Sequence, residues 1–466
     1  NCKKATGAYQ DALKISTLND FPMIYAMTQD NLGIAYRTLA EVEDKAENCK
    51  KAIEAYQDAL KIRTLDDFPM DYTTTQNNLG NAYRILAEVE DKAENCKRAI
   101  GAYQDALKIR TLNDFPMDYA MTQNNLGNAY QTLAEVKDKA ENCKKAIEAY
   151  QDALKIRTLD DFPMDYAMTQ NNLGNAYRIL AEVKDKAENC KKAIEAFQDA
   201  LKVRSFDHFP MDYAMTQNNL GNAYAILAQV EDKAENCKKA IESYQDALKI
   251  STLNDFPMDY AMTQNNLGNA YRILAEVEDK ATNCQKAIEA YQDALKISTL
   301  DDFPMDYAMT QNNLGNAYGT LAEVEDKAEN SKKAIKAYQD ALKIRTLDDF
   351  PMQYATTQNN LGNAYQTLAE VEDRETNCQK AIEACEEALK ISTLDDFPMQ
   401  YAETQIVLGS TYKTLAEAED RTGNCKRARQ AYGQANEIST KLDLPEIKKT
   451  IEMKLSELDL ICTQNT

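Results

Sequence analysis

The 466-residue chain has no tryptophan, a single histidine, fourteen glycines and ten prolines. Each scarcity excludes something. His208, the sole histidine, is the one imidazole available as base for a Ser-His-Asp or Cys-His arrangement, and a single histidine cannot make a His-Glu-x-x-His zinc motif. His208 itself replaces an aspartate of a recurring Asp-Asp-Phe-Pro turn, so it reads as an exposed turn residue. There is no glycine loop of the kind that cradles phosphates. No apolar run approaches the roughly 18 residues of a membrane span. A formal net charge of −21 leaves no basic stripe for nucleic acid or an anionic membrane surface. The charge reads as a solvated face that keeps a long chain soluble. No enzymatic activity, cofactor or bound metal is expected.

What is abundant is repetition. Asn77-Asn78-Leu79-Gly80-Asn81-Ala82-Tyr83 recurs almost unchanged at 124–130, 171–177, 218–224, 265–271, 312–318 and 359–365, always 47 residues apart. Altered copies stand at 30–36 and 406–412. All ten prolines share one position of the period, and all 26 tyrosines share three. Such regularity means an array of like units, and the length is not to be divided into globular domains. We divide the chain into 1–17, the second helix of an incomplete first repeat; 18–442, nine tandem helix-pair repeats; and 443–466, a C-terminal capping helix and tail.

Nine of the eleven cysteines also fall on one position, that of Cys49. One per repeat spaces them about 10 Å apart, beyond the ~7 Å Cα limit for bridging. They read as unpaired core residues and suggest a reducing, cytoplasmic setting. Cys378 and Cys385 lie seven apart on one helix face, but core packing explains them better than a metal, since other ligands are missing. The Asp66-Asp67…Asp71 cluster lacks the glycine and terminal glutamate of a calcium loop.

The unit at 66–111 predicts two helices. Asp66-Asp67-Phe68-Pro69 is a turn with proline in the first helical turn. Tyr72, Gln76, Leu79, Tyr83 and Leu86 then recur at three and four residues, predicting helix A over about 69–88. Gly80 inside it costs about 1 kcal/mol against alanine, so a neighbouring helix must cross there closely. Asp91-Lys92-Ala93-Glu94 has the spacing of a capping box for helix B, which runs to about Arg110. Cys96, Ala99, Ile100, Tyr103, Ala106, Leu107 and Ile109 form its apolar stripe. Neither helix buries its stripe alone, so the hairpins must stack.

Leu79, Gly80 and Tyr83, then Ala99, Tyr103 and Ala106, with Pro116 beyond, resemble the tetratricopeptide repeat. Nine tandem matches cover nearly the whole chain. The unit exceeds the family's usual ~34 residues. It is similar to the long-repeat variety found in kinesin light chains and in the sensor arms of prokaryotic signalling ATPases. The resemblance implies an all-α fold, an α-solenoid of stacked antiparallel helix hairpins forming a right-handed superhelix. It also implies a concave groove, lined by the A helices, that binds a protein or peptide. Carried over by position, the groove presents Asn77, Asn81 and Arg84, then Asn124, Asn128 and Gln131, and Asn171, Asn175 and Arg178. Further along come Asn218, Asn222, Asn265, Asn269 and Arg272, then Asn312, Asn316, Asn359 and Asn363. Asn78 and its equivalents read instead as ties between neighbouring helices. Asparagine amides both donate and accept, so a ladder of them suits a peptide backbone.

The position of Arg84 varies along the array while its frame stays fixed, reading Arg37, Arg84, Gln131, Arg178, Ala225, Arg272, Gly319, Gln366 and Lys413. Such a row is either free surface or the place where specificity is written. Ile406-Val407 replace the asparagine pair at the far end, which fits contact with the terminal helix. The expected function is a non-catalytic protein- or peptide-binding scaffold or sensor array. The alternative is a structural protein that assembles end to end into a fibre, or acts as a spacer, with head-to-tail self-association through the uncapped first helix.

Overall fold

The computed structural model describes residues 2–463, which contain twenty helices and no strand. They form two compact units, Asn1–Asp232 and Lys233–Thr466. The first holds α1 (Cys2–Leu13), α2 (Pro22–Leu39), α3 (Lys45–Leu60), α4 (Pro69–Leu86), α5 (Lys92–Ala106), α6 (Pro116–Ala134), α7 (Lys139–Leu154), α8 (Pro163–Ala181), α9 (Lys186–Leu201) and α10 (Pro210–Leu227). The second holds α11 (Lys233–Leu248), α12 (Pro257–Leu274), α13 (Lys280–Ala294), α14 (Pro304–Ala322), α15 (Lys327–Ala341), α16 (Pro351–Ala369), α17 (Arg374–Leu389), α18 (Pro398–Leu415), α19 (Arg421–Lys441) and α20 (Pro445–Thr463). The fold is an all-α solenoid of helix pairs.

Proline opens every A helix at its first position, where the missing N–H costs no hydrogen bond. The turn before it is clasped from both sides. Thr64 Oγ1 donates to Asp67 Oδ2 (2.7 Å) and accepts from the Asp67 backbone N–H (3.1 Å). Helix A ends at Leu86, two residues before the expected boundary.

The turn from A to B differs from expectation. Asp91 adopts a left-handed conformation (φ 39°), and its side chain caps nothing, so the predicted capping box does not form. Asp420 does make a side-chain cap bond, accepting from the Gly423 N–H. A buried asparagine ties the turn instead, at Asp420 as well, where Asn424 Nδ2 donates to the Glu419 carbonyl. Asn95 Nδ2 donates back to the Glu90 carbonyl at 2.7 Å, and Asn48, Asn142 and Asn189 repeat the bond. The turn is a reach from inside helix B, which a capping-box spacing does not encode.

Leu79, Ala82, Tyr83 and Leu86 of α4 pack against Cys96, Ala99, Ile100 and Tyr103 of α5 in one buried cluster. Within each unit, consecutive A helices approach one another within 8 Å between Cα atoms, while among the described residues the B helices do not. The A helices therefore share one crowded face. Gly80 serves the contact between A and B, since a Cβ there would lie 2.6 Å from the Tyr103 ring of α5. The close crossing expected from sequence is this ring of its own partner helix.

The cysteines divide. Cys49, Cys96, Cys143, Cys190, Cys237, Cys284, Cys378 and Cys385 are buried thiols. Cys425, however, forms a disulfide with Cys462 of α20, at a Cα separation of 6.2 Å. The spacing argument holds between successive repeats, but Cys462 stands outside the repeat register on a helix laid against α19. The reading of Cys425 as an unpaired core residue is therefore corrected. Ile406 joins the α20 residues Ile447, Ile451, Leu455 and Leu458 in the same cluster.

Burial pushes the thiol of Cys143 up to about 11, and that of Cys385 up to about 12. Both values are raised in the fold, so these cysteines favour the folded state below pH ~9 and lose that contribution as pH climbs towards 11. We expect the denaturation midpoint to fall between pH 9 and 11, and a Cys143→Ala, Cys190→Ala variant to show a shallower decline. At pH 8, iodoacetamide should label half-exposed Cys2 long before any buried thiol, as peptide mass mapping will show.

Candidate functional site

The A-helix face is built from three polar rows. In six of the seven asparagine pairs the first asparagine is buried, and Asn359 is half-buried. Asn77, Asn124, Asn171, Asn218, Asn265 and Asn312 are all 7 % exposed or less. Asn77 Oδ1 accepts from Asn125 Nδ2 of the next A helix (3.3 Å). Asn124 Oδ1 accepts from Asn172 Nδ2 and from Thr169 Oγ1, both at 3.3 Å. These residues therefore do not present their amides to a groove. They anchor ties made by the second asparagine, which is half-buried, as expected for Asn78 and its equivalents. At the far end Val407 has no donor to offer, and Asn359 Oδ1 is left buried without a partner.

The row at Asn81 is different. Asn81, Asn128, Asn175, Asn269 and Asn316 are half-exposed, and Asn363 is exposed. Tyr103 donates its hydroxyl to Asn81 Oδ1 (2.8 Å), and Tyr150, Tyr291 and Tyr338 do the same for Asn128, Asn269 and Asn316. The buried tyrosine thus holds each amide by its oxygen. In the repeats of Asn175 and Asn363 the tyrosine position holds Phe197 and Cys385, neither of which carries a hydroxyl.

The variable row lies beside it. Arg84, Arg178 and Arg272 pair with Glu88, Glu182 and Glu276 one turn on, at 3.5–3.7 Å. Gln131 accepts from the Tyr150 hydroxyl at 3.2 Å, and Gln366 is buried against Glu370. At Gly319 the missing side chain opens a polar cavity of ≈240 Å³ with Asn316, Glu323, Asn360 and Asn363.

Two further rows were not singled out in the sequence. One is methionine. Met117, Met164, Met211, Met258 and Met305 are each about 40 % exposed near the start of their A helices. The other is the arginine that ends helix B. Arg110, Arg157 and Arg204 are 3–4 % exposed, and each turns its guanidinium under the next A helix. Arg157 Nη1 donates to Thr169 Oγ1 (3.0 Å) and Nη2 faces Asp165 (3.3 Å). Burial lowers the arginine pKa and the aspartate offsets part of that shift. The signal was present, because the row reads Arg63, Arg110, Arg157, Arg204, Ser251, Ser298, Arg345 and Ser392.

The Tetratricopeptide repeat family model matches residues 120–163, 261–304 and 355–398, each most of an A helix and the B helix that follows it. These are tetratricopeptide repeats. The same residues recur at the same spacing in the remaining units of the array. No curated protein matches the chain. Among solved structures, the repeats are similar to the apo form of RapI at 17% identity, covering 90% of this chain and 98% of RapI, with a TM-score of 0.51. That likeness shows the fold alone. The chain is also similar to a Signal Transduction ATPase with Numerous Domains protein with a tetratricopeptide repeat sensor from Pyrococcus horikoshii (17% identity, 97% of this chain, 74% of that one, TM-score 0.45). A third likeness is to BtubC (BKLC) from P. vanneervenii, at 22% identity over 54% of this chain and 89% of that one, TM-score 0.38. Among the described residues, no helix is long and apolar enough to cross a membrane.

Proposed function

We propose that this tetratricopeptide array is a scaffold or sensor that binds an extended protein segment along the A-helix face. The amide rows carry the reading, Asn81, Asn128 and Asn175 in the first unit and Asn269, Asn316 and Asn363 in the second. They offer hydrogen-bonding groups once per repeat, held by tyrosine hydroxyls at Asn81, Asn128, Asn269 and Asn316, as a peptide backbone requires. The exposed methionines supply adaptable apolar contacts for side chains of varied shape. The groove residues of this reading are Asn81, Asn128, Asn175, Asn269, Asn316 and Asn363, without the buried row at Asn77.

Peptides selected from a displayed library against the native chain provide the test. Asn128→Ala with Asn175→Ala is expected to weaken their affinity at least about tenfold, the loss of hydrogen bonds from two aligned amides. The melting curve should change little, because Tyr150 keeps its bond to Gln131. Unchanged affinity would remove the amide row from the binding surface.

The near-identity of the units favours a second reading, end-to-end assembly. Sedimentation across a concentration range separates the two: a constant mass supports the binding face, and growth into polymers supports the fibre.

A further inference from the structure

Between α12 and α14 the A-helix face opens into a cavity of ≈200 Å³. It is lined by Ser298, Asp259, Asp306, Asn265, Thr310 and three methionines, Met258, Met262 and Met309. Its position in the repeat explains it. Ser298 stands where Arg110, Arg157 and Arg204 stand in other repeats. Thr310 and Asp306 stand where Thr169 and Asp165 hold Arg157, and where Thr216 and Asp212 hold Arg204 at 2.9 and 3.4 Å. Asn265 occupies the place of Asp30, which faces Arg63 at 3.4 Å. The cavity is thus an arginine site whose own arginine has been replaced by serine.

We propose that this cavity is a receptor slot for a guanidinium group, filled by an arginine side chain of a bound peptide. That the guanidinium comes from a peptide rests on the binding-face reading above; the slot itself does not. Three features set the chemistry. Asp306 and Asp259 carry charge at the mouth, and among the described residues no lysine or arginine pairs with either. Thr310 Oγ1 donates to Asn265 Oδ1 (3.4 Å), so its lone pairs remain free to accept. The methionines form apolar walls for an alkyl stem. A planar fork reaches the threonine and the aspartate together, as Arg157 does, whereas an ammonium reaches one at a time. The same replacement at Ser392 lacks the charge, since Gln353 and Gln400 occupy the aspartate positions there.

The test follows the Met262 and Met309 methyl resonances of the full chain, labelled at methionine methyls. N-ethylguanidinium and acetyl-arginine-amide are expected to shift both, saturably, while the neutral isostere N-ethylurea leaves them in place. Ser298→Arg fills the slot from within and should abolish the response; it should fold, because neighbouring repeats carry that arginine. Asp306→Asn should weaken binding about tenfold, as loss of a charge-assisted bond does. Arg157→Ser should create a second slot, read at Met121 and Met168. Absence of a response to N-ethylguanidinium, or an equal response in Ser298→Arg, overturns the proposal. A response to N-ethylguanidinium without one to acetyl-arginine-amide overturns the arginine occupant. Asn128 and Asn175 lie in the other compact unit, so failure of the amide row and failure of the slot are read separately.

Discussion

Gly80→Leu is expected to destabilise its repeat by at least about 3 kcal/mol, the upper range for overpacking. Even a Cβ at that position would sit 2.6 Å from the Tyr103 ring. The ring cannot retreat, because it is fully buried and its hydroxyl is bonded to Asn81. Gly101 is the control. It lies on α5 with nothing within 4 Å of a Cβ, so Gly101→Ala should stabilise by about 0.5–1 kcal/mol. Shrinking the ring should not fully rescue a substituted glycine. In the repeat where cysteine replaces the tyrosine, a Cβ at Gly362 still meets the Ala381 carbonyl at 3.2 Å. Repeat arrays unfold by nearest-neighbour steps, so the effect is read by hydrogen exchange of α4 and α5 as well as by the overall melt.

Reduction of Cys425–Cys462 has the second large expected effect. The bridge closes 37 residues, and the chain-entropy account assigns such a loop about 4 kcal/mol. That stabilisation acts on α20. Ile451 and Leu458 are fully buried and Lys454 Nζ donates to Ser410 Oγ, so these contacts remain after reduction. We expect α20 to open locally while the repeats stay folded. Its amides should exchange up to roughly 700-fold faster in dithiothreitol or in Cys462→Ser, by the same 4 kcal/mol. Unchanged protection would mean that the apolar contacts alone hold α20.

Much of this was legible in the sequence because repetition turns composition into geometry. Ten prolines on one position mark ten helix starts, and the Leu79-Gly80-Tyr83 spacing marks the crossing of A with B. The site was less legible. Asn77 and Asn78 are adjacent, so they point about 100° apart on the helix, and only packing decides which is buried. The structure buries Asn77 because its face meets the next A helix. Asn95 gave no motif, since its partner is a backbone carbonyl five residues back. The Arg/Ser row was visible but silent, because a helix-ending arginine ordinarily reads as solvated charge, and here the next hairpin covers it. The Cys425–Cys462 bridge escaped because Cys462 belongs to the one helix outside the period.

The most direct test of the binding face is site-specific photocrosslinking with a peptide selected against the native chain. Benzoylphenylalanine is placed in turn at Met164 on the A face, at exposed Val183 in the A-to-B turn, and at exposed Glu195 on helix B. The account predicts a crosslink from Met164 and none from Val183 or Glu195. Crosslinks from Glu195 with none from Met164 would place the partner on the B helices and contradict it.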